Sequence, residues 1–176
     1  MESLALIAHI LQRMDGVIKG RVQLQKLIYF CKVAGVSVDA NYRLYIYGPY
    51  SQQVADSLQD GVMEEIFRES NGHIEKGEYF TEYYNSLHDQ DCLEGEQEKI
   101  VNSVLTEFRN MPVRELEILA TTFFIDRQQK ALFGSASQQY VLDKVRKAKS
   151  SRFSEAEIEK SYDQMEDCLR LIQQYS

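Results

Sequence analysis

Apolar residues recur at helical spacing over most of the chain. Leu4, Ile7, Ala8, Leu11 and Met14 form one stripe that ends at Gly16. A second stripe, Leu24, Leu27, Ile28, Cys31 and Ala34, follows Gly20 and stops at Gly35. The period then changes. In Tyr42-Arg43-Leu44-Tyr45-Ile46-Tyr47, aromatic and branched residues crowd together without a helical stripe. That pattern predicts a strand with Tyr42, Leu44 and Ile46 on one side and Arg43, Tyr45 and Tyr47 on the other. Gly48-Pro49 is expected to break it. Ser51 is placed to cap a helix carrying Val54, Ala55 and Leu58.

Ile66-Phe67, a turn at Asn71-Gly72, then Ile74, Gly77 and Tyr79-Phe80-Thr81 predict two short strands joined by that turn. Residues 85–95 are polar and read as a linker. Everything beyond reads as helix. Ile100, Val101, Val104, Leu105 and Phe108 mark one; Pro112 opens the next, lined by Leu116, Leu119, Ala120, Phe123 and Phe124. After a loop at Phe133-Gly134-Ser135, Ser137 caps a helix through Tyr140, Val141, Leu142 and Val145. Ser154-Glu155-Ala156-Glu157 is a capping box, and Phe153 with Ile158 is its hydrophobic staple. Ile158, Tyr162, Met165, Leu169 and Ile172 carry the last apolar stripe.

Charge narrows the function classes. The 176 residues hold 20 basic and 27 acidic side chains, a net charge of −7. That weighs against a dedicated nucleic-acid binder, although a local basic patch suffices to meet phosphate. Cys31, Cys92 and Cys168 are widely spaced and odd in number, so neither a disulfide framework nor a zinc module is expected, and a reducing cytoplasm fits. The opening MESLALIAHILQRMDG lacks a basic leader region, and no run of about 18 apolar residues offers a membrane span.

Gly20-Arg21-Val22-Gln23-Leu24-Gln25-Lys26-Leu27-Ile28-Tyr29-Phe30, followed by Tyr45-Ile46-Tyr47-Gly48-Pro49-Tyr50-Ser51, resembles the YwgA-type bacterial proteins. It is also similar, more distantly, to the SocA-like antitoxin (Panacea) domain. The Leu116 to Thr121 helix and the Lys149 to Phe153 segment fit the YwgA-type pattern, while the SocA-like resemblance covers mainly residues 1–85. The resemblance implies a compact helical fold with a small winged-helix-like sheet. It also implies a role in neutralising a toxin or presenting it to another protein.

Candidate chemistry is sparse. His88, Asp89, Asp91 and Cys92 mix ligand types, and His88 with Cys92 would share a helix face, but no second pair stands nearby. A solvated linker is the expected reading, with no metal and no cofactor. No nucleophile elbow, phosphate loop or dinucleotide fingerprint occurs. Carboxylate pairs such as Glu115 and Glu117 read as surface charge, and the chain is expected not to be an enzyme.

Two surfaces remain. The first is the aromatic strand and its corner. Tyrosines suit interfaces because they join an apolar body to a polar tip, yet a sheet covered on both faces would bury the same rings. The second is the basic run Lys144, Arg146, Lys147, Lys149 and Arg152, for which a solvated face is the plain alternative. The helix after the strand offers Gln52, Gln53, Asp56 and Gln59 without a cation, a poor groove reader.

The expected fold is α+β and mostly α. A winged-helix-like N-terminal half, residues 1–85, carries a small antiparallel sheet and packs on a C-terminal helical bundle, residues 94–176, to make one compact domain. The expected function is a cytoplasmic, non-catalytic protein-interaction module, antitoxin-like or adaptor-like. It would bind and occlude a partner protein, such as a toxin, through Arg43, Tyr45, Tyr47, Gly48, Pro49, Tyr50, Ser51, Gln52 and Gln53. A winged-helix DNA-binding regulator is the alternative.

Overall fold

A computed structural model describes residues 1–87, 91–149 and 151–173, the side chains of 169–173 excepted. The described elements run α1 (Ser3–Arg13), β1 (Val17–Ile18), α2 (Gly20–Val33), β2 (Arg43–Tyr45), β3 (Gly48–Tyr50), α3 (Gln52–Met63), β4 (Phe67–Ser70) and β5 (His73–Lys76). Five helices complete the order: α4 (Phe80–Ser86), α5 (Gly95–Phe108), α6 (Val113–Phe133), α7 (Gln138–Lys149) and α8 (Glu155–Gln173). The fold is α+β and mostly helical. β1, β5 and β4 form one antiparallel sheet in that order, and β2 with β3 forms a separate hairpin. Through β5 the order is helix, strand, helix, hairpin, helix, hairpin, with the β2–β3 hairpin lying between α2 and α3.

The helices form where their apolar stripes meet. α1 buries Leu6, Ile7, Ile10 and Leu11. It ends where Asp15 and Gly16 turn left-handed, at φ 56° and 81°. Asn71 and Gly72 take φ 50° and 76°, the paired left-handed turn that closes β4 onto β5. α6 differs from the other helices. It is buried on nearly every side from Leu116 to Asp126 and packs against α2, α7, α8 and β3. One apolar cluster runs from Leu6 to Cys168. At its centre Phe30 stacks on Phe108 with ring centres 4.3 Å apart and meets Phe123 edge-on at 5.6 Å. Each such ring contributes about 2–3 kcal/mol by leaving water.

Three local expectations are corrected. The predicted strand from Tyr42 to Tyr47 is a hairpin: β2 stops at Tyr45, Ile46-Tyr47 makes the turn, and Gly48-Pro49 lies inside β3. Pro49 fits because it faces Leu44 at a rung where the alternating antiparallel ladder needs no N–H. Tyr79-Phe80-Thr81 is not strand. The chain turns at Gly77, where a Cβ would sit 2.0 Å from the Glu65 carbonyl oxygen, and α4 begins at Phe80. In the polar stretch 85–95, expected as a linker, the described residues from Asp91 on are tied to the body. Leu93 is buried, and His9 donates from Nε2 to the Asp91 carbonyl at 2.6 Å while its Nδ1 meets the Tyr84 hydroxyl at 3.2 Å. β1 carries too few residues to show a period and is defined by its pairing with β5. His88 and Asp89 lie outside the described residues. Among the described ones no group of three or more His, Cys, Asp or Glu is placed to hold a metal, and no helix is long and apolar enough to cross a membrane.

Candidate protein-binding hairpin

The β2–β3 hairpin pairs Arg43 with Tyr50, Leu44 with Pro49 and Tyr45 with Gly48. Its tip is apolar and wet: Tyr45, Ile46 and Tyr47 are 61%, 71% and 52% exposed. Leu44 is exposed beside them. Of the expected binding residues, Arg43, Tyr45, Tyr47 and Gln52 are exposed, Tyr50 and Gln53 are half-buried, and Gly48, Pro49 and Ser51 are buried. The buried three hold the hairpin to the body, and each has a specific counterpart.

Ser51 is met by Gln25. The Gln25 amide donates to the Ser51 carbonyl and accepts from the Ser51 N–H, both at 2.9 Å, so one side chain stands in for a neighbouring strand. Ser51 also caps α3, its hydroxyl accepting from the Val54 N–H. Pro49 is met by Lys26, whose buried ammonium donates to the Pro49 carbonyl at 2.8 Å. Gly48 lies flat on α6 at φ 87°, and an added Cβ would come within 2.7 Å of Thr121 Oγ1 and 3.3 Å of the Glu117 carbonyl oxygen. The paired motifs around Gln25-Lys26 and Gly48-Pro49-Ser51 therefore mark the two sides of a single joint.

Beneath the turn sits a buried cluster of charges. Glu117 is 3% exposed and Lys149 1%. Lys149 Nζ donates to Glu117 Oε1 at 2.7 Å, and Arg152 grips the same carboxylate at 2.7 and 3.2 Å. Lys149 and Arg152 also both donate to the Ile46 carbonyl, across more than a hundred residues of sequence. The Arg152 guanidinium lies 4.5 Å from the centre of the Tyr47 ring. Burial pushes the Lys26 ammonium down to about 7, opposed by the Glu117 charge and reinforced by that of Lys149. Burial lowers Lys149 as well, against its hydrogen bond to Glu117. The turn carbonyl is thus held by two cations whose neutraliser comes from the central helix.

Sequence reasoning missed this cluster. Glu117 was expected at the surface and is buried. Lys149 and Arg152, expected in a solvated basic run, reach the hairpin. The available signal was in α6, where Ile118 to Ile125 carries no charge and no one-sided stripe, the mark of a helix covered all round. The rest of the basic run behaves as expected, with Arg146 paired to Asp143 and Glu155 and Lys144 over the Tyr140 ring.

Chemically the hairpin offers contact area. An almost wholly apolar groove of about 380 Å³ lies between Val22 on α2 and Tyr45, Ile46 and Tyr47, and continues the exposed tip. A family model described as antitoxin SocA-like, Panacea domain, matches residues 24–123. No curated protein and no solved structure matches the chain. The matched stretch takes in Gln25, Lys26, the whole hairpin and Glu117, while Lys149 and Arg152 lie beyond it. With its two motifs joined as described and more than half of its length matched, the chain belongs to the SocA-like antitoxin family and carries that family's Panacea domain.

Proposed function

We propose that the protein is a non-catalytic, antitoxin-like module that binds a partner protein through the hairpin tip and covers the partner's working surface. The expected partner is a toxin. The observation that supports this reading most is four consecutive large apolar residues, Leu44 to Tyr47, held in water on a hairpin whose base is fixed by buried ions. A lone exposed apolar side chain is ordinary, but a contiguous apolar patch on a rigid base suits a partner that will cover it. Rigidity matters because a pre-ordered loop loses little freedom on binding. Tyr45 and Tyr47 are of the type that anchors interfaces. α3, the helix that would enter a DNA groove, displays Gln52, Asp56, Gln59 and Asp60 and no cation, which argues against the DNA-binding alternative.

Capture of partners on the tagged chain, wild type beside Ile46→Asp and Tyr47→Ala, tests the proposal. Covering an apolar side chain of this size is worth about 1.5–3 kcal/mol, so each variant should weaken the complex by roughly ten- to a hundredfold. The Ile46→Asp melting curve should match wild type because that side chain is exposed, and Tyr47→Ala should lose no more than its contact with Arg152, about 1 kcal/mol. Equal recovery of the partner by a folded Ile46→Asp chain would refute the tip as the contact.

A further inference from the structure

We propose that the outer edge of β2 accepts an extended, acidic segment of the partner protein as a third strand. This deepens the docking role assigned to the hairpin and rests on it. Among the described residues β2 has one neighbouring strand, β3. Opposite Leu44 stands Pro49, which has no N–H to give and turns its carbonyl to Lys26. The Leu44 N–H and C=O therefore point away from β3, and among the described residues nothing else meets them. Tyr42, two residues earlier on the same edge, also has an unmet backbone N–H and C=O. At the other end the edge is closed, because the Ile46 carbonyl is occupied by Lys149 and Arg152. A short, bounded row of free backbone groups is what strand addition uses.

Grooves flank this edge on both faces. A cleft of about 620 Å³ follows Arg43, Tyr45 and Tyr50 toward Gln52 and Asp56 of α3. On the opposite face, a groove of about 350 Å³ lies between Tyr42 and the α6 residues Phe124 and Arg127. Next to it a pocket of about 140 Å³ is framed by Leu44, Ile125, Tyr140 and Lys144. Side chains of an added strand alternate between the two faces, so each face takes every second one.

The charges select the occupant. Arg43, Arg127, Lys144 and Lys32 line these hollows, and none has an acidic partner among the described residues. Among the described residues, the one carboxylate in the three linings is Asp56, which accepts from the Gln52 amide at 2.7 Å. In a chain of net charge −7, this edge is a local excess of cations. A segment alternating apolar with acidic residues would meet it by both shape and charge.

A random short-peptide display library panned on the full chain, followed by amide hydrogen exchange, tests the inference. The expected binders are rich in Asp and Glu, slow exchange at Tyr42 and Leu44, and lose binding when alternate peptide nitrogens are methylated. Arg43→Glu and Lys144→Glu should each weaken them by about fivefold. Leu44→Pro, which removes an edge donor without touching the ladder to β3, should abolish the slowed exchange at Tyr42. Absence of binders, binders without acidic bias, or binders indifferent to N-methylation would overturn the proposal. Partner capture separates it from the tip reading, with melting curves confirming that each variant is folded. A partner lost by Ile46→Asp but kept by Leu44→Pro and Arg43→Glu leaves the tip as the contact and removes the strand addition. A partner kept by all three removes both.

Discussion

Replacing Glu117 by Gln probes the ion cluster directly, because Gln fills the same volume without the charge. Lys149 would then sit 1% exposed beside no anion, with Arg152 still pressing on the same carbonyl. Breaking a buried pair by neutralising one member costs about 3–5 kcal/mol, since the surviving charge remains out of water. For a chain of this length each kcal/mol moves Tm by about 2–4 °C, so Glu117→Gln should lower Tm by roughly 6–20 °C. The exposed pair two residues away is the internal control. Glu115 meets Lys160 at 3.3 Å with both side chains in water, and Glu115→Gln should cost less than about 1 kcal/mol. Calorimetry gives Tm, and hydrogen exchange at Tyr47 and Gly48 reports whether the turn has loosened. Lys149→Met added to Glu117→Leu removes both charges and should melt above either single variant. A Glu117→Gln protein within about 1 kcal/mol of wild type, or a double variant no better than the worse single one, would refute the claim that burial makes this pair matter.

Three further outcomes follow from the same joint and its surroundings. Gly48→Ala must adopt φ 87° and place a methyl 2.7 Å from Thr121 Oγ1. A cost of about 2–5 kcal/mol is expected in urea unfolding, from left-handed strain plus overpacking, and Thr121→Ala should relieve only the packing share. Lys26 gives up its proton near pH 7 when folded but only near 10.5 when unfolded. Between those values the unfolded chain holds the extra proton, so stability should rise with pH from about 7 to 8.5, and that rise should be smaller in Lys26→Met. Above that window the buried Cys31 thiol, pushed up to about 12, acts in the opposite sense. Ser154 binds the Glu157 carboxylate through its N–H at 2.8 Å and its hydroxyl at 2.9 Å, so Ser154→Ala should cost about 1 kcal/mol in the same assay.

The sequence alone determined the elements whose signals are local. The stripes of α1, α2 and α5, the Ser51 and Ser154 caps and the Asn71-Gly72 turn all stand where periodicity and turn chemistry put them, because each depends on residues within a few positions of one another. It also marked the two motifs, around Gln25-Lys26 and Gly48-Pro49-Ser51, without revealing that they touch. Tertiary structure decided the rest. A continuous aromatic run was folded back at Ile46-Tyr47 because Gly48, lying against α6, permits a left-handed bend that the run itself does not announce. Whether its tyrosines faced core or water depended on what else covered the hairpin, and α2 and α6 cover only its base. Glu117, Lys149 and Arg152 look like surface charges in any local window. They become a buried cluster because α6 is enclosed on all sides and the α7–α8 corner brings its cations to the turn. Charge burial is set by the low dielectric of packed neighbours, and those neighbours come from helices far apart in the chain.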